Sequence, residues 1–164
     1  MISALAATML LAQIPQTSSL PSAPCTGPAF HQFDFLLGNW TASEPGGTDV
    51  TAHVSVTATP GGCGLLERED ATRGPGAISL VAYDSDATLW RRHSVYADGA
   101  SFDLQGGPQN GDLVLEGEQA GGAGHQLVRI TWRLQGEVVR ETAERSSDGQ
   151  SWSSLFDREL RRAR

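Results

Sequence analysis

The chain has 164 residues, room for one domain with a core of ordinary size. Its 19 glycines and a charged fraction of only 19% suit short strands joined by tight turns better than long surface helices. Nineteen acidic against 12 basic residues leave a net charge of −7, which argues against a nucleic-acid or anionic-membrane partner, because phosphate binding needs a basic surface. The only basic cluster, Arg158, Arg161, Arg162 and Arg164, is broken by Asp157 and Glu159 and reads as a solvated chain end.

In chain order, residues 2–12 (ISALAATMLLA) are apolar and uncharged but too short to span a bilayer as a helix. They fit the apolar region of a secretory signal peptide, although no Lys or Arg precedes them. The bland alternative is a buried N-terminal helix. The next stretch, rich in Pro, Ser and Gln, reads as a disordered tether. The expectation is a signal peptide and tether over 1–24, a single β-barrel domain over 25–164, a periplasmic or secreted location and no transmembrane segment. In an oxidising compartment the cysteine pair, Cys25 and Cys63, implies one disulfide. Neither cysteine has a His or Cys at metal-ligand spacing, so no metal and no cofactor are expected.

From residue 36 onward, short stretches alternate with turn signals, and no long helical period occurs. Val50, Ala52, Val54, Val56 and Ala58 share one face of a strand whose other face is Thr51, His53, Ser55 and Thr57. Val128, Ile130, Trp132 and Leu134 form a second apolar stripe, opposite Arg129, Thr131 and Arg133. About ten strands are predicted, near 37–43, 49–58, 63–71, 76–83, 88–96, 100–105, 111–118, 125–134, 137–145 and 150–160. Connectors such as PGG at 45–47 and 60–62, DSDA at 84–87, ADG at 97–99 and SSDG at 146–149 make tight reversals. Sequential strands are then antiparallel neighbours. Such a meander buries its apolar face and hides its edges by closing into a barrel; a two-sheet sandwich is the runner-up. Ahead of the first strand, Phe30, Phe33 and Phe35 suit a short helical turn that plugs one end.

Five stretches, FHQFDFLLGNW, GCGLLERED, YDSDATLW, HQLVRITW and SSDGQSWSSLFD, together resemble a group of exported bacterial proteins of unknown function. The resemblance runs through residues 30–162 in the same order and spacing. It implies a lipocalin-like (calycin) barrel behind a signal peptide and brings no activity with it. Gly38-Asn39-Trp40 is similar to the G-x-W that opens the first lipocalin strand, where the Trp closes the barrel floor beneath an Arg of the last strand. On that likeness Gly38 and Trp40 are structural, with Arg158 or Arg161 as the cation over the ring. The chain departs from the group at Glu69, where an aromatic is usual, at Ser94, where Trp is frequent, and at Leu160, where Tyr is frequent. Such changes widen a pocket, make it more polar, or remove it.

No catalytic signature is present: there is no G-x-S-x-G, P-loop, H-E-x-x-H or dinucleotide fingerprint. The four histidines, His31, His53, His93 and His125, are scattered, and His53 lies on a wet face. A haem-binding barrel needs an inward His late in the meander, and the late one, His125, sits in a glycine-rich loop. The charged residues carry more information. Leu65, Glu67 and Glu69 share one face of their strand; Trp90, Arg92, Ser94 and Tyr96 share one face of another; and 137–145 carries Arg140, Glu141 and Glu144. A barrel that holds a polar group must spoil its apolar face with a few charges. Glu67 is the best candidate for an inward charge, Arg92 its partner, and Trp90 the apolar wall beside them. The competing reading is solvated strands whose charges ladder across the outside. Trp132 and Trp152 are assigned to the core, Trp152 on the parity it shares with Phe156 and Leu160. The functional expectation is an exported barrel that binds a small hydrophobic or amphipathic molecule. The alternatives are an envelope interaction module with a filled barrel, and a barrel isomerase or hydrolase that uses Glu67.

Overall fold

The computed structural model describes residues 25–121 and 124–163, so the predicted signal segment and tether lie outside the described residues. Ten strands follow one another: β1 Gly38–Ser43, β2 Ala52–Ala58, β3 Gly64–Ala71, β4 Ala77–Asp84, β5 Leu89–Tyr96, β6 Ser101–Gln109, β7 Asp112–Gly121, β8 Gly124–Gln135, β9 Val138–Ser146 and β10 Ser153–Arg162. Each pairs antiparallel with the next, and β10 returns to β1, closing the barrel. The closure leaves no free edge for another strand to extend. Among the described residues, no helix is long and apolar enough to cross a membrane.

Alternation decides the interior. On β2, Ala52, Val54 and Val56 are buried while His53 and Thr57 are exposed; on β8, Val128, Ile130 and Trp132 are buried. The stripes stop at the strand ends: Val50 precedes β2, Leu134 adjoins the β8–β9 turn, and both are exposed. At the corner between β6 and β7 the chains approach so closely that a Cβ on Gly117 would collide with the Asp103 carbonyl oxygen. Glycine there lets the sheet curve.

One end is plugged. Two 3₁₀ turns, Pro28–His31 and Asp34–Leu36, precede β1 and set Phe33 against Trp90 and Trp132, ring centroids 4.6 and 5.6 Å apart. The Trp90 indole N–H donates to Gln32 Oε1 at 2.8 Å, and Phe30 meets Tyr83 edge-on. The expected disulfide is present, joining Cys25 to Cys63 with Cα atoms 5.0 Å apart across 38 residues. It pins the approach to the plug onto the 3₁₀ turn Pro60–Gly62 that follows β2. Closing such a loop stabilises the fold by about 4 kcal/mol in chain-entropy terms.

Trp40 lies at this end, buried, and its indole N–H donates to the Leu36 carbonyl at 2.7 Å. The cation above it is neither Arg158 nor Arg161 but Arg162, whose guanidinium carbon lies 3.8 Å from the ring centroid. Register explains the correction, because Arg162 is the β10 partner of Trp40 across the β1–β10 seam. Arg161 has the opposite parity and pairs with Glu159 outside, while Arg158 lies four residues further into the barrel. Arg162 also donates to the Leu37 and Phe35 carbonyls, fastening the plug to the last strand. Gly38, at φ 120°, leaves the room this guanidinium needs, since a Cβ there would strike Arg162 Nη1.

Candidate functional site

The barrel is filled only at its plugged half. Near the opposite end a cavity of ≈ 630 Å³ opens between the strands, with Phe102, Val128, Ile130 and Phe156 along its walls and Tyr96 beside them. Its floor is charged, and strand parity puts the charges there. Glu67 and Glu69 follow the inward Leu65 on β3, and Arg92 stands between the inward Trp90 and Ser94 on β5. On β9, Glu141 falls between the buried Val139 and Ala143, and Arg158 precedes the buried Leu160 on β10 by two.

One buried ion pair and one triad result. Arg92 Nη2 donates to Glu67 Oε1 at 2.7 Å and to Ser79 Oγ at 3.0 Å, and Arg92 Nε donates to Ser94 Oγ at 3.0 Å. Residues 67 and 92 are 6% and 4% exposed. Arg158 grips two carboxylates: its Nη1 and Nη2 reach both oxygens of Glu69 at 2.9 and 2.8 Å, and its Nε reaches Glu141 at 2.9 Å. Every Arg158 nitrogen is thus occupied. Arg92 Nη1 alone among buried side-chain nitrogens and oxygens of the described residues has no hydrogen-bond partner. Arg92 borders the cavity, together with Glu69, Glu141 and Arg158, whereas Glu67 lies behind it.

Burial pushes the Glu67 carboxyl above its ordinary range; Arg92 opposes the rise and Glu141 reinforces it. Burial alone would lower the Arg158 guanidinium, but Glu141 and Glu69 outweigh it and hold the cation firmly charged. Burial also raises the Tyr96 phenol. The floor therefore holds three carboxylates against two guanidiniums, and it can position a polar group while supplying no surplus positive charge.

Of the residues singled out in the sequence, Glu67 and Arg92 form the predicted inward pair. Trp90 faces inward on the same strand, yet it is 0% exposed, capped by Phe33 and Gln32, and belongs to the plug and not to the cavity wall. Trp132 is core, and the Arg92 guanidinium lies over its ring at 5.3 Å. Trp152 is not core. It precedes β10, half-buried, with the Arg129 guanidinium 4.0 Å above its ring. A bulge between Ser154 and Phe156 breaks the parity that would have carried it inside. Arg140 and Glu144 face outward to Asp157 and Arg129, so charge ladders on the outside accompany the charged interior. Glu141 and the clamping role of Arg158 were missed as site features, although the sequence Val139-x-Glu141-x-Ala143 carried the signal for the first. Among the described residues no group of three or more His, Cys, Asp or Glu is placed to hold a metal ion. No protein-family model matches the chain, and no curated protein shows significant similarity to it.

Proposed function

We propose that the protein is an exported barrel that binds a small hydrophobic or amphipathic molecule through its open end. One observation carries this reading: the interior is packed solid by Phe33, Trp40, Trp90 and Trp132 at one end and left hollow, ≈ 630 Å³, at the other. That volume is in the range of small-molecule sites, and an apolar wall above a few fixed polar groups is their usual composition. The Cys25–Cys63 disulfide supports export, since such bonds persist in oxidising compartments. Catalysis by Glu67 is disfavoured, because the carboxylate lies behind Arg92 and does not border the cavity.

A second role, as an interaction module, has a separate observation in its favour. On the outer face of β3–β5, Leu66 stands opposite Leu80 and Ile78 opposite Val95, all exposed. Apolar patches of this kind mark contact surfaces. The test of the binding reading is to purify the protein from its native host, extract it with organic solvent and search for a co-purifying small molecule by mass spectrometry. The expected result is a stoichiometric compound that is lost from Ala143→Phe, a variant that narrows the cavity. An empty wild-type extract, with no thermal shift from any member of an amphipath library, would refute it.

A further inference from the structure

The Arg92 fork is half used. Nε and Nη2 are committed to Ser94, Ser79 and Glu67, and Nη1 is buried with no partner among the described residues, on a side chain that borders the cavity. A buried donor left unpaired is costly, and a small turn of the guanidinium toward the cavity would bring Nη1, shielded in the empty site, to a ligand acceptor that relieves that cost. The charge around it limits what the acceptor can be. Glu67, Glu69 and Glu141 face Arg92 and Arg158, leaving one carboxylate in excess; with Glu67 protonated the cluster is neutral. At the mouth, Glu44 and Asp98 outnumber Arg73. A carboxylate ligand would enter this site with no cation left to balance it. An ammonium would meet carboxylates already shared with Arg158 and a second cation, Arg92, beside them.

We propose that the ligand is a neutral amphipath whose head is a hydrogen-bond acceptor, such as a ketone, ester or ether oxygen, held by Arg92 Nη1 with its apolar body against Phe102, Val128, Ile130 and Phe156. This rests on the cavity-binding reading above and adds the chemical class of the head group. The selectivity comes from desolvation, since a charged head must shed water without gaining an unshared counter-ion. Arg158 is the weaker candidate, because each of its nitrogens already donates to Glu69 or Glu141.

The experiment is calorimetric titration of the disulfide-intact protein at neutral pH with methyl decanoate, decanoate and decylammonium. The ester should bind about tenfold or more tighter than either ion. Arg92→Lys keeps a cation beside Glu67 but loses the fork, and ester affinity should fall about tenfold. Should that variant fail to fold, Glu67→Gln with Arg92→Met removes both charges together and reads the same loss. Decanoate or decylammonium binding as tightly as the ester, or an ester affinity indifferent to Arg92, overturns the proposal and leaves cavity binding standing. Ala71→Trp, at the mouth, should abolish binding of all three. Binding that ignores Ala71→Trp, or no binding by any of the three, overturns the cavity reading itself.

Discussion

Replacing Arg92 with Met isolates the energetics of the buried pair. The substitution removes the cation 2.7 Å from Glu67, a carboxylate only 6% exposed, and two hydrogen bonds to Ser79 and Ser94. Glu67 then escapes the full penalty of an unpaired buried charge by taking up a proton. At pH 7, protonating a carboxyl whose unfolded value is about 4.3 costs about 3.7 kcal/mol, at about 1.4 kcal/mol per pH unit. That is a ceiling, because burial already raises Glu67 in the wild type and each unit of that rise is subtracted. With the lost hydrogen bonds, the expected destabilisation at pH 7 is about 3–4 kcal/mol, in line with other broken buried pairs. The sign with pH follows from proton counting. Between the unfolded and folded values the folded state holds more protons, so this contribution is complete below about pH 4.3 and is lost as pH rises through the folded value. The variant's deficit should therefore shrink to about 1–2 kcal/mol at pH 4.3, where only the hydrogen bonds and the contact with Trp132 are missing. Glu67→Gln with Arg92→Met should lie within about 2 kcal/mol of the wild type at both pH values. Urea unfolding followed by tryptophan fluorescence measures all of this. A deficit under about 1 kcal/mol at pH 7, unchanged at pH 4.3, would refute the reasoning, since it would mean that Glu67 does not depend on Arg92 for its charge.

Two further predictions concern the plugged end and the β9–β10 turn. Trp40→Ala should lose about 3–5 kcal/mol through the cavity it leaves between the plug and Arg162, whereas Trp40→Phe, which keeps the ring stack and forfeits the bond to Leu36, should lose about 1–2. Equal losses in urea melts would show that the indole N–H carries the effect and the packing does not. Asp148 Oδ1 accepts from the Ser151 and Gln150 backbone N–H groups and from Ser146 Oγ, which hold its carboxyl down to about 2. Its contribution to stability is present above the ordinary Asp value and is lost as pH falls through about 2. A carbon-detected NMR titration should place its midpoint there, and a midpoint near 3.9 would show that the turn does not bind the ionised form.

Parity made the strand plan legible without coordinates and grouped the candidate charges, but left open whether those charges faced the interior or solvent. Val54 and Val56 had to face inward together, and the same period of two put Glu67 with Leu65 and Arg92 with Trp90. Tight turns between consecutive strands implied a meander, and burying its apolar face was open to a barrel or a two-sheet sandwich until the β1–β10 pairing decided for the barrel. Parity fails wherever one residue is inserted, and so it misplaced Trp152: the bulge at Ser154–Phe156 moves the residues before it to the other face. It also cannot say how far along a neighbouring strand a partner lies. Arg158, Leu160 and Arg162 share a face, and only the β1–β10 register selects Arg162 for Trp40 and leaves Arg158 to Glu69 and Glu141. That clamp joins β3, β9 and β10, strands far apart in the chain, and whether the space above it is hollow depends on how side chains from opposite walls meet. The local order of residues determined which groups share a face; the stagger of the closed sheet decided which of them touch and where they leave a cavity.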